Sequence, residues 1–210
     1  MNFANLLKIV SDQPAFTVRF LAAGENLPQI RLQINRWVNA GKIIRLHKGL
    51  YTLAEPYRKV APEPFCIANN LKQASYVSLH SALSWYGMIP EFVPAVTSVT
   101  TGRPKTIETP LGRHEFRHIS KKYFWGYQHV ELKSRQTAFI ACPEKALLDL
   151  LYLTPGSDDI EFIDELRIQG LEQINRAVLR EFTGKFHSPK LNRALKLLER
   201  ILDQGEGIEL

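Results

Sequence analysis

A helical stretch that runs through a glycine straight into a short hairpin is the feature that most constrains this chain. Along residues 28–40, Ile30, Ile34, Trp37 and Val38 share one helical face, while Gln29, Leu32, Arg36 and Asn39 fall opposite. Arg31 and Asn35 flank one side of that outer face and Gln33 the other. Gly41 follows as a terminator. Ile43-Ile44-Arg45-Leu46 and Leu50-Tyr51-Thr52-Leu53 then read as two strands around His47-Lys48-Gly49. Two shorter helices are expected upstream. The first carries Phe3, Leu6, Leu7 and Val10 and stops at Asp12-Gln-Pro14; the second is capped by Thr17 and ended by Gly24. Asn26-Leu-Pro28 opens the third, with proline in the first turn, where its missing N–H costs nothing. Three short helices and a hairpin can bury one small core, which is the pattern of a winged helix-turn-helix.

Charge coincides with that pattern. Residues 1–60 hold nine Lys/Arg (8, 19, 31, 36, 42, 45, 48, 58 and 59) against three acids (12, 25 and 55), a balance of +6. That equals the net charge of the whole 210-residue chain, so the other 150 residues sum to zero. A basic excess confined to one small folding unit is the footprint expected for a polyanion. The third helix would enter the major groove of a duplex, where Arg and Lys read guanine and Asn and Gln read adenine. Gln29, Arg31, Gln33 and Arg36 are the candidates for base contact or nearby phosphate contact. Leu32 is open to two readings, a thymine methyl or contact with the second domain. Lys42, Arg45, His47 and Lys48 would hold phosphates, or enter the minor groove, from the wing, and Arg19 on the second helix would clamp backbone; phosphate contacts set position without reading sequence.

Glu55-Pro56, Ala61-Pro62 and Glu63-Pro64 place three prolines in nine residues, an extended and stiff connector. The expected division is therefore residues 1–54, a linker at 55–64, and 65–210. The last part reads as mixed α and β, giving an α+β chain with a helical C-terminal region. Helices are expected at 65–72, 78–86, 144–153, 159–169, 171–182 and 189–202, and strands at 95–101, 115–119, 128–132 and 137–141. The tail 203–207 is expected to fray. Basic Gly102-Arg-Pro-Lys105 reads as a turn that touches DNA or a partner.

Enzyme chemistry finds little support. His114 and His118 are four apart on a strand, on one face but roughly 13 Å from each other. His80 reads as a core or cap histidine, and Ser78 and Ser81 lack a GxSxG context. Glu131-Leu-Lys133 has the E-x-K spacing of Mg²⁺ nucleases, with Glu108 or Glu115 as a further acid, but no Pro-Asp step precedes a matching strand. A solvent-facing pair is the competing reading. Glu144 and Asp149 are expected to cap their helix or pair with Lys145. Cys66 and Cys142 have no metal-site spacing and read as buried free thiols. No metal or cofactor is expected. No apolar run approaches the roughly 20 residues of a membrane span, and the N-terminus lacks a basic stretch and a small-residue cleavage site. A cytoplasmic protein is expected.

Longer motifs carry a family resemblance. Ser75-Tyr-Val-Ser-Leu-His-Ser-Ala-Leu-Ser-Trp-Tyr-Gly-Met-Ile-Pro90 resembles the signature of AbiEi-type antitoxins and transcriptional regulators. So do Val96-Thr-Ser-Val-Thr-Thr101, the Gly112…Phe116-Arg-His-Ile119 segment and Ala141-Cys-Pro-Glu-Lys-Ala-Leu-Leu-Asp-Leu-Leu-Tyr152. The run Gly41-Lys-Ile-Ile-Arg-Leu…Lys48-Gly-Leu-Tyr51 is similar to the family's winged helix. The resemblance implies an autorepressor that binds operator inverted repeats, as a dimer or as two monomers. It also implies an antitoxin that opposes a nucleotidyltransferase-like toxin without a stable complex. The surface near residues 144–153, or the 102–105 turn, would then serve the antitoxin role. Two alternatives are a plain regulator whose second domain senses a ligand or mediates assembly, and a Mg²⁺-dependent nuclease.

Overall fold

The computed structural model describes residues 1–21, 26–91 and 93–205. Gly24, expected to end the second helix, lies outside them. Helix α1 (Phe3–Val10) is capped by Asn2, whose Oδ1 accepts from Asn5 N at 2.8 Å. Strand β1 (Phe16–Thr17) leads into α2 (Val18–Leu21), where Thr17 Oγ1 accepts from Phe20 N at 3.2 Å as its sequence suggests. Helix α3 (Leu27–Asn39) ends at Gly41, whose φ of +69° is the left-handed turn that glycine adopts without strain. There Gly41 N donates to Val38 O and Lys42 N to Trp37 O, satisfying carbonyls the helix leaves open. Strands β2 (Ile43–His47) and β3 (Leu50–Leu53) form the hairpin, and β3 pairs with β1 on its other side. Leu6, Val10, Ile34 and Trp37 close one core with Phe16 and Tyr51. Each such full burial contributes roughly 1.5–3 kcal/mol before chain entropy is set against it.

The rest of the chain builds a six-stranded mixed sheet. In chain order it comprises α4 (Pro64–Leu71), β4 (Ser75–Val77), α5 (Leu79–Trp85), β5 (Ala95–Thr100), β6 (Lys105–Thr109), β7 (Gly112–His118), β8 (Tyr127–Glu131) and β9 (Thr137–Ala141). Helices α6 (Pro143–Leu153), α7 (Ile160–Glu165), α8 (Arg176–Phe186) and α9 (Pro189–Gly205) follow. The strand order is β6-β7-β5-β4-β9-β8, with β5–β7 and β4–β9 parallel. Side chains alternate across the pleat. Thr97 points to α5 and bonds Ser81, whereas Ser98 shares the opposite face with Phe116, over which Lys72 at the end of α4 lies. Helices α5 and α6 therefore cover one face, with α8 and α9 packed beyond α6, and α4 covers the other.

The hairpin joins α4 on that second face. Ile44, Leu46 and Leu50 meet Ile67, Leu71 and Leu111 in a small apolar layer. The connector is held at both ends. Lys59 N donates to Ser11 O at 3.1 Å, and Lys59 Nζ lies 3.4 Å from Asp12. Gln136 of the β8–β9 loop accepts from Glu63 N at 2.9 Å and donates to Ala61 O at 2.8 Å. Pro64 is the first residue of α4.

Several sequence expectations change. The expected helix at 171–182 is a short 3-10 turn (Leu171–Gln173) followed by α8, because Asn175 supplies the cap by accepting from Ala177 N and Val178 N. The helix expected at 159–169 ends at Glu165. Helix α9 continues to Gly205, and Asp203, placed in a frayed tail by the sequence, bonds Arg176 at 2.6 Å. The proposed docking surface near 144–153 is not a surface, since every residue from Glu144 to Leu151 is buried. Both cysteines are free: Cys66 is buried and Cys142 half-buried. Burial raises both thiols, Cys142 to about 11, so neither is a ready thiolate.

Candidate nucleic-acid interface

Helix α3 turns Ile30, Ile34 and Trp37 inward and leaves Gln29, Arg31, Leu32, Asn35, Arg36 and Asn39 exposed. Four residues make slightly more than one turn, so Arg31 and Asn35 lie on one side of that face, toward the wing. The wing turns at Gly49, whose φ of +81° would strain any side chain. Arg19 projects outward from α2. Between these elements runs an open groove of about 840 Å³, whose lining includes Arg19, Arg31, Asn35, Arg45, Lys48 and Gln73.

Among the described residues no carboxylate lines the groove. Among the described residues, Arg19, Arg31, Arg45 and Lys48 have no ion-pair partner, whereas Arg58 pairs with Glu55 and Lys59 with Asp12. Arg45 is already oriented. Its Nη2 donates to Tyr51 Oη at 3.3 Å, and its guanidinium carbon lies 5.6 Å from the Tyr51 ring centre. Four positive charges facing one solvent-filled groove concentrate counterions there, and an incoming polyanion releases them.

The other sequence candidates fall around this groove rather than in its lining. Gln29 and Arg36 stand on the outer face of α3, and Gln33 is half-buried on the flank away from Arg31. Lys42 folds back onto α1, with Nζ 4.8 Å from the Phe3 ring centre. His47 Nε2 lies 3.3 Å from Lys105 Nζ. Burial and the Lys105 charge lower the His47 pKa. Lys72 Nζ donates to Arg103 O at 2.7 Å, and burial with the Lys105 charge lowers its pKa. The cationic surface thus continues from the wing onto the Gly102–Lys105 turn. Asn35, Tyr51 and Gln73 were not among the sequence candidates. The first two were findable, Asn35 as the i+4 neighbour of Arg31 and Tyr51 as the cross-strand partner of Arg45. Gln73 arrives only through the topology.

The remaining chemistry-bearing motifs do not build an open site. Glu131 and Lys133 are both exposed, at the end of β8 and in the loop after it. Among the described residues no three His, Cys, Asp or Glu side chains converge to hold a metal ion. Lys145 and Asp149 pair with each other in full burial, and Tyr76 Oη and Ser78 Oγ each donate to Asp149 Oδ2 at 2.8 Å. Among the described residues no helix is long and apolar enough to cross a membrane.

Three helices, a two-stranded wing and a groove lined by four cations define a winged helix-turn-helix unit, here docked on a mixed sheet with helices on both faces. Residues 6–54 match the family model described as transcriptional regulator, AbiEi antitoxin. The whole chain resembles the crystal structure of the RV2827C protein from Mycobacterium tuberculosis, with a TM-score of 0.58 and 12% sequence identity, over 93% of this chain and 75% of that one. At that identity the likeness is one of fold. No curated protein is matched.

Proposed function

We propose that this protein binds double-stranded DNA and represses its own operon, as an antitoxin of an AbiE-like toxin–antitoxin system. The carrying observation is the groove lined by four cations that, among the described residues, have no ion-pair partner, all four within the segment that matches a transcriptional-regulator family. Residues 1–54 act as the DNA-binding domain, 55–64 as the linker and 65–210 as the antitoxin domain. Helix α3 lies in the major groove and the wing crosses backbone, so that the bound protein occludes polymerase. Arg19, Arg31, Arg45 and Lys48 are the central contacts. Gln29 and Arg36 reach base edges, and Gln33, Lys42 and His47 lie at the margin. The Gly102–Lys105 turn adds phosphate contacts beside the wing. Inverted repeats take two copies, as a dimer or as two monomers. The protein works in the cytoplasm, needs no cofactor, catalyses no reaction and opposes a nucleotidyltransferase-like toxin without a stable complex.

One observation favours a second reading, a plain regulator whose larger domain senses a ligand. An open, mainly apolar groove of about 490 Å³ lies beside Phe65, Trp85 and Val96. A nucleotidyltransferase-like gene beside this one supports the antitoxin reading, and its absence favours the plain regulator. The direct test is a footprint of the full-length protein on DNA upstream of its own gene. Protection of an inverted repeat, lost in the Arg31→Ala/Lys48→Ala double variant, is the expected result. No retention of any duplex at low ionic strength overturns the DNA-binding reading.

A further inference from the structure

Leu32 stands where an exposed helix ordinarily carries a polar residue. At 100° per residue it lies nearly opposite the buried row of Ile30, Ile34 and Trp37, on the ridge of α3 farthest from the core. It is 52% exposed, so the rest of the chain does not cover it. Leu27, in the first turn of the same helix, is 39% exposed, and Phe20 on α2 is 52% exposed. These apolar side chains interleave with guanidinium groups. Arg19 precedes Phe20, Arg31 follows Leu27 by one turn, and Arg36 follows Leu32 by one turn. A protein partner with an apolar patch would have to bury those uncompensated charges. A duplex meets both features together, with phosphates for the cations and, in the major groove, the thymine C5-methyl as the apolar contact on the base edges.

We propose that α3 reads thymine methyl groups through Leu32, so that the preferred DNA site carries thymine where the helix ridge enters the groove. This rests on the duplex-binding reading and adds to it a base preference that cations bound to phosphate cannot supply. Phosphate contacts are the same at every sequence. A methyl buried against Leu32 distinguishes thymine from the other bases through the removal of one carbon from water.

The test uses the full-length protein and two synthetic duplexes. One is the segment protected upstream of its own gene; the other is the same segment with deoxyuridine at every thymine, which keeps base pairing and removes only the methyls. Wild type is expected to bind the deoxyuridine duplex about fourfold more weakly for each methyl contacted. Leu32→Ala is expected to bind both duplexes with more nearly equal affinity, and to keep the wild-type salt dependence because no cation is lost. Leu32 is exposed, so an unchanged melting temperature checks that this variant folds as wild type does. Equal wild-type affinity for the two duplexes overturns the proposal while leaving duplex binding intact. A Leu32→Ala defect in cooperativity with undiminished discrimination against deoxyuridine also overturns it, and assigns the ridge to a second copy of the chain. Binding to neither duplex at low salt removes the DNA-binding reading itself.

Discussion

The protein treats positive charge in two opposite ways. In the groove between α3 and the wing, Arg19, Arg31, Arg45 and Lys48 face solvent and, among the described residues, have no ion-pair partners. At the centre of the larger unit, Lys145 is removed from solvent entirely and surrounded by partners. Asp149 takes its ammonium, and the rings of Tyr76, Trp125 and Phe186 lie 5.5, 5.0 and 4.9 Å from it. An exposed unpaired cation costs little because water solvates it, and it stays available to an external anion. A buried one must be satisfied internally, and that leaves it nothing to offer. Charge alone therefore does not mark a functional site here. The availability of the charge does.

The largest expected effect breaks the buried side of this contrast. Asp149→Ala strands Lys145 and leaves the Tyr76 and Ser78 hydroxyls without their acceptor. It should destabilise the fold by about 3–5 kcal/mol, read as a lower urea midpoint at unchanged slope. Replacing Lys145 and Asp149 together by Met and Leu should recover much of that loss. A single variant as stable as wild type would mean the pair is wetter than its geometry.

The sheet face beneath α4 should respond to acid. His114 lies on the sheet face that carries Phe116, is 1% exposed, and among the described residues has no hydrogen-bond partner on either ring nitrogen. Ser98 Oγ, on the same face, is also unpartnered, as is Thr52 Oγ1 on the wing. Burial lowers the His114 pKa to about 4. The neutral ring is the folded form, so its contribution is complete above the ordinary histidine value near 6.5 and is lost as pH falls toward 4. The loss should be on the order of 2–3 kcal/mol. His114→Leu should flatten that part of the stability curve. An equally steep acid slope in the variant would place the titration elsewhere.

Legibility in the sequence followed the range of the interactions. The helices and hairpin of the first 53 residues are fixed by local periodicity, a hydroxyl cap and two glycines, and all of these can be read along the chain. Strand β4 was missed because three residues buried on both faces show no alternation. Strand β6 was missed because it is a polar edge strand in which only Ile107 is buried. Helix α6 read as amphipathic, yet Glu144, Lys145 and Asp149 are buried, because Asn175, Tyr76 and Ser78 come from distant segments to satisfy the two acids. The groove was half legible. Arg31, Arg45 and Lys48 belong to one local pattern, while Gln73 and Lys105 reach the wing only after the sheet has formed.

Across the groove and the outer face of α3 the comparison sharpens between cations that hold and cations that read. Arg36→Ala removes a side chain on the outer face of α3, where base edges would lie. It should weaken operator binding by about 1–3 kcal/mol and random-duplex binding by less. Equal losses on both duplexes would demote it to a phosphate contact.

Lys48→Ala should give the smallest change and the most diagnostic one. Lys48 sits at the wing turn beside Gly49, on a flexible stem with no partner to orient it. Such an ammonium meets the duplex as a point charge, displacing one condensed counterion without contacting a base. Its removal should weaken operator and random DNA alike and lower the slope of log affinity against log salt by about one. Arg45 is held against Tyr51 and makes the control, since its charge is pre-oriented rather than mobile. If Lys48→Ala leaves the slope unchanged while Arg45→Ala lowers it, the duplex crosses the groove at the strand and not at the turn.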